Sequence, residues 1–105
     1  MDVYEQQVSE GVALVYQAFQ RVADCFAGNI GAEIELQTEW SREDTLDGRW
    51  PEEVSVRVHH GAETRLFKFS KDRLAKCPGD RHVMAEVENE IRRWMRSVVS
   101  LKVVR

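Results

Sequence analysis

Residues 54–69 read VSVRVHHGAETRLFKF, and this stretch decides the fold. Val54, Val56 and Val58 alternate with Ser55, Arg57 and His59, and Phe67 and Phe69 alternate with Leu66 and Lys68. A period of two is the signature of a half-buried strand. Gly61-Ala62 lies between the two runs and suits a two-residue type II′ turn with glycine first. That turn pairs His60 with Glu63, Val58 with Arg65, Val56 with Phe67 and Val54 with Phe69. One face then holds three valines and two phenylalanines. The other holds Ser55, Arg57, His59, Thr64, Leu66 and Lys68. Turn chemistry and hydrophobic pattern select the same register independently, because a slip of one residue would turn every apolar side chain to water.

A third strand precedes the hairpin. Ala32, Ile34, Leu36, Thr38 and Trp40 point one way, and Glu33, Glu35, Gln37 and Glu39 the other. Residues 41–52 have no period and contain Asp47-Gly48 and Pro51, which marks a long surface loop. The flanks are helical. Val8, Val12, Val15, Phe19, Val22 and Phe26 recur at spacings of three and four, with Asp2 as a cap and Gly28-Asn29 as a stop. Gly11 inside this stripe implies either close packing or a late start at Ser9. Ser70 caps a short helical turn, Lys71–Lys76, ended by Pro78. Asp80 caps a last helix whose stripe is Met84, Val87, Ile91, Trp94 and Val98, with Met95 alongside. The β-branched run from Val98 to Val104 fits a helical extension, a strand or a frayed end.

These elements predict a two-layer α+β domain spanning residues 1–105. It is a three-stranded antiparallel meander with two long helices packed on one face. The order is α-β-β-β-α, with a short helical turn before the last helix. Trp40, Phe67, Phe69, Phe19 and Trp94 should anchor its core. Truncating one of them to alanine is expected to cost about 3–5 kcal/mol.

The 105 residues are 43% hydrophobic and 31% charged, the balance of a soluble globular domain. No apolar run approaches the roughly twenty residues that span a bilayer, and the first residues lack the basic and apolar pattern of a secretory signal. The expectation is a cytoplasmic protein with no membrane association and with Cys25 and Cys77 reduced. Charge is sorted along the chain. Residues 1–53 carry twelve acids and three bases, residues 54–105 six acids and twelve bases, so the halves carry −9 and +6 within a net −3.

No recognisable catalytic or cofactor motif is present. His59 and His60 are adjacent in a strand and face opposite sides, and no helical HxxxH or HxxE pattern occurs, so no metal is expected. Cys25 and Cys77 form no zinc or CxxC spacing. Glu33, Glu35 and Glu39 share one strand face, where cross-strand pairing with Arg57, His59 and Lys68 explains them better than acid–base chemistry. No phosphate-binding loop, dinucleotide fingerprint or GxSxG occurs.

Ser70-Lys71-Asp72-Arg73-Leu74-Ala75-Lys76, together with the order helix, three strands, helix, resembles the double-stranded RNA-binding domain. In that family a Ser-Lys-Lys-x-x-Ala-Lys stretch opens the last helix and grips phosphates. The likeness covers seven residues and a topology. Asp72 stands where the family has a lysine, and Pro78-Gly79 break the helix where the family's continues. No function is carried across from the likeness. The alternative reading is a nucleic-acid-binding domain that uses the basic residues Lys71, Arg73 and Lys76 and the arginine face of the last helix. The primary expectation is a small non-enzymatic domain that binds another protein, as adaptor, chaperone-like factor or inhibitor, or that self-associates as a homodimer. Its candidate contacts are Arg49 and Trp50 in the long loop and Arg92, Arg93 and Arg96 on the last helix, residue types enriched at interfaces; the alternative for Trp50 is that it folds back and closes one end of the core. No cofactor is expected.

Overall fold

The structure, a computed structural model, describes residues 3–31, 34–40 and 49–103, with side chains to residue 98. Asp2, Ala32, Glu33 and loop residues 41–48, all assigned roles from sequence, lie outside the described residues. The elements are α1 (Val3–Ile30), β1 (Gln37–Trp40), β2 (Glu53–His60), β3 (Glu63–Ser70), α2 (Lys71–Lys76) and α3 (Arg81–Val103). The strands form one antiparallel sheet in the order β1-β2-β3. This is the expected α+β architecture in the expected order.

The hairpin register agrees at every pair inferred from sequence, from His60↔Glu63 to Val54↔Phe69. Gly61 takes φ 60°, and no non-glycine residue described has positive φ, which is the II′ pattern. β1 pairs with β2 through Thr38↔Val58 and Trp40↔Val56, so those two side chains face the core.

Both long helices cover that face. Phe67 of β3 lies edge-on to Phe19 of α1 at 5.2 Å and edge-on to Trp94 of α3 at 5.8 Å. These are the favoured geometries for aromatic pairs. Phe19, Phe67, Phe69 and Trp94 are buried, as are Val54, Val56 and Val58, whereas Trp40 is half-buried and packs against the cluster.

Local differences from the sequence reading have physical causes. α1 continues through Gly28 and Asn29 to Ile30, and the left-handed residue that ends it is Gly31, at φ 67°. Gly11 does not delay the helix. It is buried where α1 meets α2, and a Cβ there would lie 1.9 Å from the Leu74 carbonyl oxygen. Close packing is therefore its role. β1 is four residues long, although Ile34 before it is buried. α3 carries the β-branched run as helix to Val103.

Ser70 Oγ accepts from the Arg73 N–H at 3.1 Å, the N-cap expected for α2. Asp80 does the same for α3, accepting from His82 N–H at 2.9 Å and Val83 N–H at 3.3 Å.

Candidate functional site

α3 buries Val87, Ile91, Trp94, Met95 and Val98. At 3.6 residues per turn, this stripe leaves Asn89, Arg92, Arg93 and Arg96 on the opposite side. Those four line a shallow recess of about 300 Å³. Of the sequence-predicted contact residues, the three arginines are thus brought together. Asn89 was not singled out, yet its spacing carried the signal, since it lies three and four residues before Arg92 and Arg93.

The arginines differ electrostatically. Arg92 Nη2 donates to Glu88 Oε1 at 3.2 Å, and Arg21 Nε of α1 donates to the same oxygen at 3.2 Å. One largely buried carboxylate therefore serves two guanidinium groups. Arg93 and Arg96 are exposed and form no ion pair among the described residues. The positive field of this recess comes mainly from these two side chains.

The other loop candidate sits elsewhere. Trp50 is half-buried against the core cluster. Its backbone N–H donates to Glu5 Oε1 at 2.9 Å and its indole Nε1–H to Ser9 Oγ at 2.9 Å. Trp50 is thereby tied to the first turns of α1. Arg49 next to it is exposed.

The residues of the nucleic-acid alternative do not share a surface. Lys71 is 6% exposed, and its Nζ lies 2.8 Å from Glu5 Oε2. Its ammonium also lies 5.4 Å from the centre of the Tyr4 ring, and the Lys71 backbone N–H donates to the Glu52 carbonyl at 2.9 Å. The Tyr4 hydroxyl donates to the Asp72 carboxylate, and this hydrogen bond, reinforced by burial and nearby carboxylates, pushes the phenol up to about 12. Arg73 is paired with Glu90 at 3.3 Å and stacks near the Phe69 ring. Lys76 alone of the three is exposed.

The uncovered face of the sheet is balanced rather than basic. Glu39 lies 3.9 Å from Arg57 and 3.6 Å from His59 Nε2, and Lys68 lies 3.9 Å from Glu53. His59 Nδ1 meets the Thr64 hydroxyl at 3.0 Å. Of the three strand glutamates, Glu39 thus pairs across to Arg57 and His59, while Lys68 uses Glu53 of β2 instead. Leu66 stands 45% exposed on this face, near the midpoint of the edge strand β3.

Among the described residues, no group of three or more His, Cys, Asp or Glu side chains is placed to hold a metal. Among the described residues, no helix is long and apolar enough to cross a membrane. Both thiols are unbridged. Cys25 is exposed. Cys77 is buried, its Sγ–H donating to the Arg73 carbonyl at 3.4 Å, and burial raises its pKa. No known protein family, curated protein or solved structure matches this chain.

Proposed function

We propose that the protein is a non-enzymatic binding domain that docks an acidic protein segment on the arginine face of α3. The observation that carries this reading is the pair Arg93 and Arg96. They are exposed, lie beside Asn89 and Arg92 in one recess, and have no acidic partner among the described residues. Arginine suits this task, because its planar guanidinium presents paired donors to a carboxylate. A cytoplasmic site of action belongs to the same reading and is supported by the two unbridged thiols. The nucleic-acid alternative is weakened by the burial of Lys71 against Glu5 and the pairing of Arg73 with Glu90.

The test compares wild type with the double variant Arg93→Glu/Arg96→Glu, using a glutamate-rich peptide and an RNA duplex as probes at about 50 mM and about 150 mM salt. Both positions are exposed, so the variant should fold normally. The expected result is peptide binding that weakens with salt and drops at least tenfold in the variant. Peptide affinity unaltered by the double reversal, or no peptide affinity at all, overturns the proposal. Duplex binding without peptide binding transfers the face to the alternative.

A further inference from the structure

The outer edge of β3 is a template for a second copy of this chain, and we infer that two molecules pair there about a two-fold axis through Leu66. β3 is the long edge of the sheet, eight residues against four in β1. In a hairpin closed by a two-residue turn, the flanking pair His60↔Glu63 is hydrogen-bonded within the hairpin, and bonding alternates from there. Glu63, Arg65, Phe67 and Phe69 therefore direct their backbone groups to β2. Thr64, Leu66 and Lys68 direct theirs outward. Among the described residues, no backbone hydrogen bond outside the ladder engages any of these three. The strand contains no proline and no bulge, two of the devices that blunt an exposed edge.

Self-pairing must satisfy the edge and both faces at once, and this selects the register. With Leu66 on the axis, Leu66 faces Leu66 of the other copy, Thr64 faces Lys68, and Arg65 faces Phe67. The three outward residues of each strand meet one another in full. The exposed leucine gains an apolar neighbour. Arg65 already lies 4.6 Å from the ring centre of its own Phe67, so it meets a second aromatic ring rather than a charge. Ser70 falls opposite Ala62 in the turn, so α2 of each copy starts beyond the other's strand. Moving the axis to Arg65 sets guanidinium against guanidinium, which is unfavourable directly across a ladder. Moving it to Phe67 carries the start of α2 back opposite Glu63. The two-fold stands perpendicular to the sheet, keeps the helices of both copies on one side and produces a six-stranded sheet. This interface is separate from the arginine face. Resting on one strand edge, it belongs to the small, concentration-dependent class.

Sedimentation under reducing conditions, which keep Cys25 from bridging, tests the inference across about 10 µM to 1 mM protein, the range that reads affinities of this class. Wild type should rise from the 12.2 kDa of one chain toward twice that mass. Leu66→Lys, which puts two ammonium groups face to face on the axis, should remain at one chain mass throughout. Leu66 points to the uncovered face, so this variant should keep the wild-type circular dichroism. In the wild-type protein the amides of Thr64, Leu66 and Lys68 should exchange more slowly as concentration rises, while those of β2 stay unchanged. A single species of one chain mass at every concentration overturns the inference. So does a dimer that Leu66→Lys leaves intact and whose three edge amides gain no protection. Arg93→Glu/Arg96→Glu should still dimerise and Leu66→Lys should still bind the acidic peptide, so the two proposals fail separately.

Discussion

Gly11→Ala and Gly28→Ala make the same chemical change in the same helix and should shift stability in opposite directions. In an unhindered helix, alanine is worth up to about 1 kcal/mol over glycine. At Gly28 nothing lies within 4 Å of the added methyl, so Gly28→Ala should gain part or all of that amount. At Gly11 the methyl would sit 1.9 Å from the Leu74 carbonyl oxygen and 2.6 Å from its carbonyl carbon. A carbon meets a carbonyl oxygen comfortably at about 3.3 Å or more, and both helices are backbone-rigid here. α1 and α2 must therefore part by more than about 1 Å. A gap of that order forfeits a quarter to a half of the dispersion energy of the atoms lining it. Those atoms include Leu74 and its fully buried neighbours on α1. Overpacking of this kind costs about 1–3 kcal/mol or more. Given the severity of the overlap, the net loss after the helix gain should be about 2–3 kcal/mol. For a domain near 100 residues, this is a drop of roughly 10–20 °C in Tm. Thermal melts followed by far-ultraviolet circular dichroism read both variants. A Gly11→Ala protein melting at or above wild type would refute the close-packing argument.

Two further outcomes follow from the cluster around the start of α1. Lys71→Met should lower stability by about 3–5 kcal/mol in urea titration, because it strands the Glu5 carboxylate in a buried site. Adding Glu5→Gln, which keeps an acceptor for the Trp50 N–H, should recover most of the loss; a single variant within 1 kcal/mol of wild type would show the pair to be idle. In a Tyr16→Phe background, phenolate absorbance should place the Tyr4 midpoint at about 12, and Asp72→Ala should return it toward the ordinary value near 10. The folded value lies above the unfolded one, so the Tyr4–Asp72 contribution to stability is complete below pH 10 and disappears as pH rises from 10 to about 12. A wild-type midpoint near 10 would contradict this.

The hairpin was legible in full because two independent signals, the Gly61-Ala62 turn and the valine–phenylalanine alternation, demand one register. The caps Ser70 and Asp80 were legible because a cap acts on backbone groups two or three residues away. What the sequence concealed was long-range. Lys71 reads as a solvated or phosphate-gripping lysine when its neighbours are Asp72, Arg73 and Lys76. Its partner Glu5 lies far back in the chain, and only the packing of α2 on α1 brings them together. For Trp50 the sequence leaves open a partner contact or a return onto the core, and it packs on the core; its acceptors Glu5 and Ser9 are likewise remote in the chain. The end of α1 was misplaced because Gly28, although a poor helix former, costs less within a long helix than an early stop would. The arginine face was legible from spacing alone, but its division into a neutralised Arg92 and an Arg93 and Arg96 without an acidic partner among the described residues required Glu88 to be located.

The tie between the first turn of α1 and residues 50–72 also has a consequence for synthesis. Tyr4 and Asp72 are 68 positions apart. At about 5–20 residues per second, a ribosome needs roughly 3–14 s to make the second after the first. From Ile30 onward in that interval, α1 is a finished amphipathic segment whose hydrophobic stripe has no α2 to cover it. The nascent chain is thus most exposed to chaperones, proteases and misassociation between the completion of α1 and the emergence of α2. A slow codon run placed between residues 31 and 71 should lengthen that vulnerable window, whereas one placed within residues 1–30 should leave it unchanged.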